Sequence, residues 1–337
     1  MRSLLLLCML WVQAESQTSL FMIEKDKKFG YIDSAGTVLI PPTFEKGNYF
    51  SEGLLRCVNK RWFDRDVWFY NTQGEPVLQT TYEDAGSFSE GAARVLRGIF
   101  FFNKAWGFID TSGREIVAPE YTEEGDFHDG RAWVIIRPVF LPQLTPDKFG
   151  YIDKTGKRVI DFQYDAAGDF SEGLAYVKKN GRKGYIDTTG KLVVDFIYQQ
   201  AGEFSEGLAR VMKNGLWGYI NTAGNVVIPI QFNETRNFHN GLALARKDSV
   251  WMFISPNGEK AFSFSGVNIL SFSENLAAYQ QQELWGYLDT NGSRAIEPKF
   301  VSATPFKYGL AFVQTETEEG YINRSGAFVW KTTRQSE

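Results

Sequence analysis

The sequence has few of the residues that build zinc and nucleophile sites. Its 337 residues include two cysteines and two histidines, His128 and His239. It contains no H-E-x-x-H motif, no paired cysteines and no recognisable Ser/His/Asp triad pattern, so it predicts neither a zinc centre nor an activated nucleophile. Its glycines are spaced as turn residues and form no phosphate-binding loop. We therefore expect a protein without cofactor, metal or catalytic activity.

Long apolar runs are also scarce after the first residues. Leu4 to Val12 form a short apolar stretch behind Arg2, and Ala14-Glu15-Ser16 follow. This order is typical of a secretory signal peptide, which we place at 1–16, and it predicts export to the periplasm or the extracellular space. The stretch is too short to span a membrane, and no later segment could. Lipoprotein anchoring through Cys8 is disfavoured, because Leu7 stands where a lipobox has a small residue.

Removing that segment leaves 17–337 with one cysteine, Cys57, so an internal disulfide is excluded and stability must come from packing. There is no basic excess either. The net charge of −4 argues against nucleic acid as a partner, since such proteins need a cationic face. Aromatic residues make up 15% of the chain and glycines number 32, a mixture that favours strands and turns over helices.

What the sequence does contain is a repeat. The heptapeptide GYIDTTG at 184–190 is preceded by GYIDKTG at 150–156 and followed, at the same interval, by GYINTAG at 218–224. A second marker, F-S-E-G, follows the glycine of each G-Y-I-D at a constant distance, for example at Phe170, Phe204 and Phe238. All variation in unit length therefore falls between F-S-E-G and the next G-Y-I-D, where a loop is free to grow. About nine such units fill the chain.

Each unit predicts short antiparallel strands. Apolar runs flank D-T-T-G, in which Asp and Gly are turn formers, and Asn214-Gly215 is a strong hairpin signal. We predict an all-β protein with roughly three strands in each unit of about 34 residues. One unit cannot bury its own apolar face, so neighbouring units must stack. In the strand after F-S-E-G, small or aliphatic residues such as Ala209 and Val211 alternate with a residue that varies. The varying residues include Arg94, Trp133, Tyr176, Arg210 and Phe312.

The segments LWGYINTAG (216–224), LWGYLDTNG (284–292) and KAWGFIDTSG (104–113) resemble the WG, or KWG, repeats of bacterial proteins. The resemblance covers nearly all of 17–337, although Trp68 and Met252 replace the marker glycine in two units. It implies a repeat architecture and a binding role, and it carries no catalytic residues. Family members are often exported.

Two architectures remain open. We expect an open, superhelically stacked array, because about 34 residues are few for a propeller blade and nine units are many for a ring. The alternative is a closed, propeller-like ring.

The recurring Asp33, Asp110, Asp153, Asp187 and Asp289 are interpreted as turn residues, since Asn or Ser stands there in other units. The glutamates of S-E-G are interpreted as solvated turn residues, with weak cation binding as the alternative.

Three lengthened hairpins break the pattern at the same place in consecutive units, at 61–66, 98–104 and 137–148. Hairpin tips are normally polar, so apolar tips indicate either an interaction patch or a structural cover. The candidate partner-binding residues there are Trp62, Phe63, Ile99, Phe100, Phe101, Phe102, Phe140 and Leu141.

The sequence thus predicts a non-catalytic, exported scaffold that binds an unidentified protein or a cell-surface polymer. A carbohydrate-binding module that uses aromatic rings and carboxylates is the alternative, and a glycan-active enzyme is a more remote one.

Overall fold

The chain forms nine antiparallel sheets that follow one another along the sequence. In the computed structural model, residues 19–60, 65–98, 104–136, 147–264 and 268–334 are described. Sheet 1 has three strands and the other eight have four. We call the sheets blades 1 to 9. No helix long and apolar enough to cross a membrane occurs in the described ranges.

The strands of blades 1 to 5 follow in chain order. They are β1 Phe21–Lys25, β2 Lys28–Ile32 and β3 Val38–Phe44; β4 Phe50–Ser51, β5 Leu54–Lys60, β6 Arg65–Tyr70 and β7 Pro76–Thr80; β8 Asp84–Ala85, β9 Ala92–Gly98, β10 Lys104–Asp110 and β11 Glu115–Tyr121; β12 Glu123–Glu124, β13 Arg131–Ile135, β14 Phe149–Asp153 and β15 Arg158–Tyr164; β16 Ala166–Ala167, β17 Leu174–Lys179, β18 Arg182–Asp187 and β19 Leu192–Tyr198.

Blades 6 to 9 continue in the same way. Their strands are β20 Gln200–Ser205, β21 Leu208–Lys213, β22 Leu216–Asn221 and β23 Val226–Phe232; β24 Glu234–Thr235, β25 Ala243–Lys247, β26 Val250–Ile254 and β27 Lys260–Phe264; β28 Asn268–Ile269, β29 Leu276–Gln281, β30 Leu284–Asp289 and β31 Arg294–Phe300; β32 Ser302–Ala303, β33 Ala311–Gln314, β34 Glu318–Ile322 and β35 Phe328–Thr333.

The all-β repeat prediction is confirmed, and the count of three strands per unit omitted one short strand. Most blades begin with a strand of two residues that pairs with the strand after F-S-E-G, as Ala166 and Ala167 pair with β17. This short strand allows a four-stranded blade to be built from a short repeat unit. The length argument against a propeller fails for this reason.

The nine blades close into a ring, which is the alternative architecture, and the expected open array is not what the chain forms. Blades 1 and 9 share a hydrophobic cluster that contains Phe21, Ile23 and Ile32 from one and Leu310 and Tyr321 from the other. The Tyr321 hydroxyl donates a hydrogen bond to the Met22 carbonyl oxygen at 2.8 Å. Closure uses side chains and needs no strand shared between the termini, so the presence of complete units did not exclude it.

Adjacent blades share one interior, as the stacking argument requires. Leu174, Tyr185 and Val194 of blade 5 pack with Phe204 and Val211 of blade 6 in one cluster. The aromatic residue of G-Y-I-D packs on the phenylalanine of the next F-S-E-G, with ring centroids 5.0 Å apart for Tyr185 and Phe204. Where that residue is a tyrosine, its hydroxyl also donates to a carbonyl of the next blade, as from Tyr185 to Gly202 at 2.6 Å.

The marker glycine permits close approach of the outer strand. In blade 6, a Cβ on Gly218 would lie 2.6 Å from the Ile228 carbonyl oxygen, where β22 and β23 pair with a register shift. Trp68 and Met252 replace this glycine, and there the outer strands β7 and β27 pair in regular register past that position. These two blades lack the bulge at this position, as does blade 9, where Gly320 is retained and pairs in register with Lys331.

The D-x-x-G turns are confirmed. Asp187 Oδ1 accepts hydrogen bonds from the backbone N–H groups of Thr189 and Lys191. Asn221 Oδ1 does the same for Ala223 and Asn225, which explains why Asp and Asn exchange freely at this position.

Gly218→Ala is expected to destabilise the protein by about 3 kcal/mol, because the backbone at Ile228 and Ile230 leaves no room for a methyl group. Urea unfolding would measure the loss. The matched control is Lys213→Ala on the exposed part of the same blade, which should change stability by less than about 0.5 kcal/mol. Equal stability of the two variants would contradict the bulge argument.

Candidate functional site

Large side chains pack closely against a glycine at the same place in blades 3 to 6. A Cβ on Gly86, Gly125, Gly168 or Gly202 would collide with the side chain eight residues further on. Those four side chains are Arg94, Trp133, Tyr176 and Arg210. In blades 7 to 9 the corresponding glycine is replaced by Arg236, Leu270 and Thr304, and the residue eight positions on is Leu244, Ala278 or Phe312. Four of the five predicted variable-face residues therefore share one environment.

The next blade presents a carboxylate or a carbonyl oxygen to three of these side chains. Arg94 lies 3.4 Å from Asp126 Oδ1 through Nε and 3.9 Å from Glu124 Oε1 through Nη1. The Trp133 indole N–H donates to Asp169. Arg210 Nη1 donates to the Thr235 carbonyl oxygen at 2.8 Å. We call Arg94, Trp133, Tyr176 and Arg210, together with Glu124, Asp126, Asp169 and Glu203, the inner tract.

Electrostatic interactions indicate that the tract follows the inner edge of the ring. Asp169 of blade 5 interacts with Arg94 of blade 3, and Glu203 of blade 6 interacts with His128 of blade 4. Groups two blades apart come this close only where the blades converge. The short strands, which carry the acidic residues or directly precede them, are therefore the inner strands.

Burial changes the protonation of the tract. It raises the pKa of Glu124 to about 9, with Arg94 opposing the shift and Asp126 and Glu123 adding to it. Glu124 occupies a position that is Ala85, Ala167 or Ala201 in neighbouring units, and its side chain is 2% exposed. Burial likewise raises the pKa of Asp169 and of Glu203. It lowers the pKa of Lys183, whose ammonium group lies 4.0 Å from the Tyr176 ring centroid.

Two adjoining cavities, each of about 420 Å³, open along the tract at blades 5 to 7. Arg210 and Asn237 line both of them. Tyr176, Lys183 and Trp217 line the first, and His239 and Trp251 line the second. Arg210 separates the two cavities. Its guanidinium group lies 5.0 Å from the Trp217 ring centroid and donates a hydrogen bond to the Thr235 carbonyl oxygen, and both contacts fix its position.

Several buried polar atoms in this region have no hydrogen-bond partner among the described residues. They are Glu124 Oε2, Asp169 Oδ1, Arg210 Nε, Thr235 Oγ1 and Asn237 Oδ1. Arg210, Thr235 and Asn237 line the two cavities, whereas Glu124 and Asp169 belong to the tract outside them. Buried polar atoms are nearly always paired, so the unpaired atoms at the cavities indicate a place that binds a polar group.

The two histidines fall beside this tract. In most units the serine of F-S-E-G donates to the next phenylalanine carbonyl, as Ser205 does to Phe238 at 2.7 Å. His128 and His239 replace that serine in blades 4 and 7. His128 Nε2 lies 3.9 Å from Asp169 Oδ2, and His239 lines the second cavity.

The S-E-G carboxylates are structural. Glu172 Oε2 accepts a hydrogen bond from the Gly207 N–H at 2.9 Å, and Glu206 Oε2 accepts one from Gly241 at 2.8 Å. The same bond links Glu52 to Gly91 and Glu274 to Gly309. These carboxylates therefore link neighbouring blades through hydrogen bonds. The sequence analysis missed this role because it interpreted them as solvated turn residues.

The remaining predicted site residues lie elsewhere. Phe312 lies at the junction of blades 9 and 1, where its ring is 5.2 Å from that of Tyr321. The apolar hairpin tips fall outside the described residues, and the patch of Trp62, Phe63, Ile99, Phe100, Phe101, Phe102, Phe140 and Leu141 stays a prediction. Sequence reasoning did not find Glu124, Asp126, Asp169, Glu203 or Asn237. The signal available was the glycine eight residues before each large variable residue.

The family model for WG containing repeats matches seven segments: 29–57, 69–98, 106–137, 149–182, 184–217, 217–251 and 285–316. Together they cover more than half of the chain. The chain belongs to the WG repeat family.

A comparison with curated protein sequences gives no match. Among solved structures, apo AztD from Citrobacter koseri is similar at 14% identity, with 82% of this chain and 93% of that chain covered and a TM-score of 0.44. KlHsv2 with loop 6CD replaced by a Gly-Ser linker is similar at 8% identity, with 75% of this chain and 98% of that chain covered and a TM-score of 0.42. A second matching Hsv2 structure is from Kluyveromyces lactis. Prolyl oligopeptidase B from Galerina marginata is similar at 11% identity, with 84% of this chain and 56% of that chain covered and a TM-score of 0.41. Likenesses of this size carry no argument about function.

The raised pKa of Glu124 predicts a pH-dependent stability. The folded chain keeps a proton that the unfolded chain releases near the ordinary pKa of 4.5, so this group's contribution to stability falls as the pH rises from about 4.5 to about 9. Glu124→Gln should remove that fall. Relative to the unsubstituted protein, it should gain up to about 5 kcal/mol in unfolding free energy between pH 4.5 and pH 8.5.

Denaturant titrations at several pH values would measure this gain. Glu316→Gln, at an exposed position outside the tract, is the control. A Glu124→Gln curve that runs parallel to that of the unsubstituted protein across the range would contradict the assignment.

Proposed function

We propose that this WG repeat protein is an exported, non-catalytic binding protein that recognises a cell-surface saccharide polymer through its inner tract. The observation that supports the proposal is that Arg210, Thr235 and Asn237, which line two adjoining cavities, each have a buried polar side-chain atom without a hydrogen-bond partner. Each cavity has about 420 Å³, within the range of roughly 300–1,000 Å³ usual for small-ligand sites. Two joined cavities suit consecutive sugar units of one chain.

The chemistry of the lining matches a polyhydroxylated ligand. Tyr176, Trp217 and Trp251 offer aromatic surfaces with an apolar face. Glu203 and Asn237 offer acceptors for hydroxyl groups, while Lys183 and Arg210 offer donors. The cavity lining contains cationic Lys183, Arg210 and Arg236 together with anionic Glu203 and Glu234, so neither a strongly anionic nor a strongly cationic ligand is favoured over a neutral one.

The proposal of a non-catalytic role rests on the placement of the acidic groups. Asp169 interacts with His128, Trp133 and Arg94, and Glu124 is held beside Arg94. These contacts position the carboxylates as parts of a fixed polar surface. Within the described residues, no group of three or more His, Cys, Asp or Glu side chains is arranged to hold a metal ion.

A glycan array followed by calorimetry would test the proposal. We expect a saccharide polymer or oligosaccharide to bind without being cleaved. Glu203→Gln should weaken binding about tenfold, because a hydrogen bond to a charged group contributes about 1.5 kcal/mol. Glu316→Gln should leave affinity unchanged. Silence across the array, or cleavage that Glu203→Gln abolishes, would contradict the proposal.

Export has a separate test. When the full-length chain is produced in a bacterium with a secretion system, the protein recovered outside the cytoplasm should begin at Gln17. Intact-mass spectrometry measures the new terminus. Recovery of the uncleaved chain in the cytoplasm alone would contradict export.

A further inference from the structure

The hairpin between β17 and β18 of blade 5 carries four cationic residues. Its sequence is Lys178-Lys179-Asn180-Gly181-Arg182-Lys183. Lys178 stands opposite Lys183 in the strand pairing, and Lys179 stands opposite Arg182. We call these four cationic residues the basic hairpin. They lie in a chain whose net charge is −4, so the composition as a whole does not account for them.

The three blades that follow pair different residues at the same place. Lys183 occupies the position of the repeat tryptophan, which is Trp217, Trp251 or Trp285 in those blades. The pairs are Met212 with Trp217 and Lys213 with Leu216 in blade 6, Arg246 with Trp251 and Lys247 with Val250 in blade 7, and Gln280 with Trp285 and Gln281 with Leu284 in blade 8. None of these pairs joins two cations. Like charges directly opposite each other destabilise an antiparallel pair, so blade 5 contains two unfavourable pairs that the fold does not require.

Carboxylates near the basic hairpin offset its charge only in part. Asp165 interacts with Lys178, but Lys148 binds the same carboxylate, so this acid is shared between two cations. The ammonium group of Lys179 lies 3.1 Å from the side-chain amide oxygen of Gln163, which carries no charge. Within the described ranges, no carboxylate forms a direct ion pair with any of the four cations, in contrast to Lys148.

Blade 1 also has a pair of facing cations, and there a carboxylate compensates the charge. Lys28 stands opposite Lys25 and lies 3.5 Å from Glu45. In blade 4, which precedes the basic hairpin, residues 137–146 lie outside the described ranges, and they contain Arg137 but no acidic residue. That segment therefore has no carboxylate to offer the basic hairpin.

The basic hairpin borders the first of the two cavities in the inner tract. Lys183 lines that cavity and donates a hydrogen bond to the Ala201 carbonyl oxygen at 3.3 Å. Burial lowers the pKa of Lys183, and the positive charges of Lys178 and Arg210 lower it further. Three cationic side chains therefore converge at one border of the cavity. Glu203, a carboxylate of the same lining, interacts with Arg210 and with acidic and histidine side chains of the inner tract.

We propose that the saccharide polymer bound by the inner tract is acidic, and that the basic hairpin holds its anionic groups. This inference rests on the proposed function, because it places a sugar ring of the polymer in the first cavity. The carboxylate or phosphate substituent of that sugar extends past Lys183 to Lys178 and Arg182. The balanced charges of the cavity lining contact the uncharged part of the sugar, and the cationic border selects a polymer that carries negative charge. Charge-assisted hydrogen bonds to the anionic group also offset the repulsion between the facing cations.

Two pairs of polymers test the charge requirement. Polygalacturonate and its methyl ester share a backbone and differ in the charge on each unit, and dextran phosphate and dextran make the same comparison for phosphate. Calorimetry with the chain that begins at Gln17 should show at least one acidic polymer binding about tenfold or more tightly than its neutral counterpart. This preference should shrink in 1 M salt, where the screening length falls to about 3 Å.

If neither acidic polymer binds more tightly than its neutral counterpart, the inference is wrong. The glycan array then decides the proposed function separately. A neutral saccharide that binds there would leave the proposed function standing, whereas silence across the array would overturn both.

Variants that remove charge locate the site. Lys178→Gln combined with Arg182→Gln should weaken binding of the acidic polymer about tenfold or more, because each change removes a charged hydrogen-bond donor. The matched control is Lys25→Gln combined with Lys27→Gln, at exposed positions of the equivalent hairpin in blade 1. It removes the same charge and should bind normally. Equal affinity of the two double variants for the acidic polymer would overturn the assignment to the basic hairpin.

Thermal unfolding separates a binding role of the basic hairpin from a structural one. Arg182→Gln removes one of two facing cations, so this variant should unfold at the same temperature as the unsubstituted protein or at a higher one. A lower unfolding temperature would mean that Arg182 stabilises the blade, and it would contradict the repulsion on which the proposal rests.

Discussion

An aromatic contact between neighbouring blades recurs around the ring, and the arrangement of everything else depends on it. In blades 1 to 8 the tyrosine or phenylalanine of the G-Y-I-D segment lies against the phenylalanine of the next F-S-E-G, at 4.7 Å for Phe108 and Phe127 and 4.8 Å for Tyr287 and Phe306. In blade 9, Tyr321 lies against Phe21 of blade 1 at 5.3 Å. Such edge-on pairs add to the free energy that burial of their area already contributes. Because one partner belongs to each blade, no blade completes its core alone.

The same contact fixes where functional side chains lie. It sets the distance between blades, and the buried tyrosine hydroxyl then anchors the backbone just after the inner strand. Tyr151 bonds the Gly168 carbonyl at 2.7 Å, directly beside Asp169. Tyr185 bonds Gly202, directly beside Glu203. Asp169 and Glu203 therefore follow an anchored backbone, and the residue at this position can change from blade to blade without affecting the ring.

Much of this architecture could be predicted from the sequence, because the repeated units can be compared with one another position by position. The constant interval between the two markers defined the unit, and the exchange of Asp187 for Asn221 identified the turn. Ring closure could not be predicted, because it depends on Phe21 filling a space that alanine occupies elsewhere. The acidic members of the inner tract were also missed. Glu124 replaces an alanine, and only the folded ring shows that Arg94 reaches it from the preceding blade.

The central claim is that the first and last blades are in contact. A spin-label pair on cysteines introduced at the exposed Ala35 and Ala327 of the chain that begins at Gln17, which lacks Cys8, tests it by electron–electron distance measurement. Burial raises the pKa of the native Cys57 thiol to about 11, so this cysteine should escape labelling. The backbones at Gly36 and Val329 touch, and the ring therefore predicts a short, narrowly distributed distance. An open stack of nine sheets at about 10 Å spacing would separate the labels by about 80 Å, and that result would contradict the account.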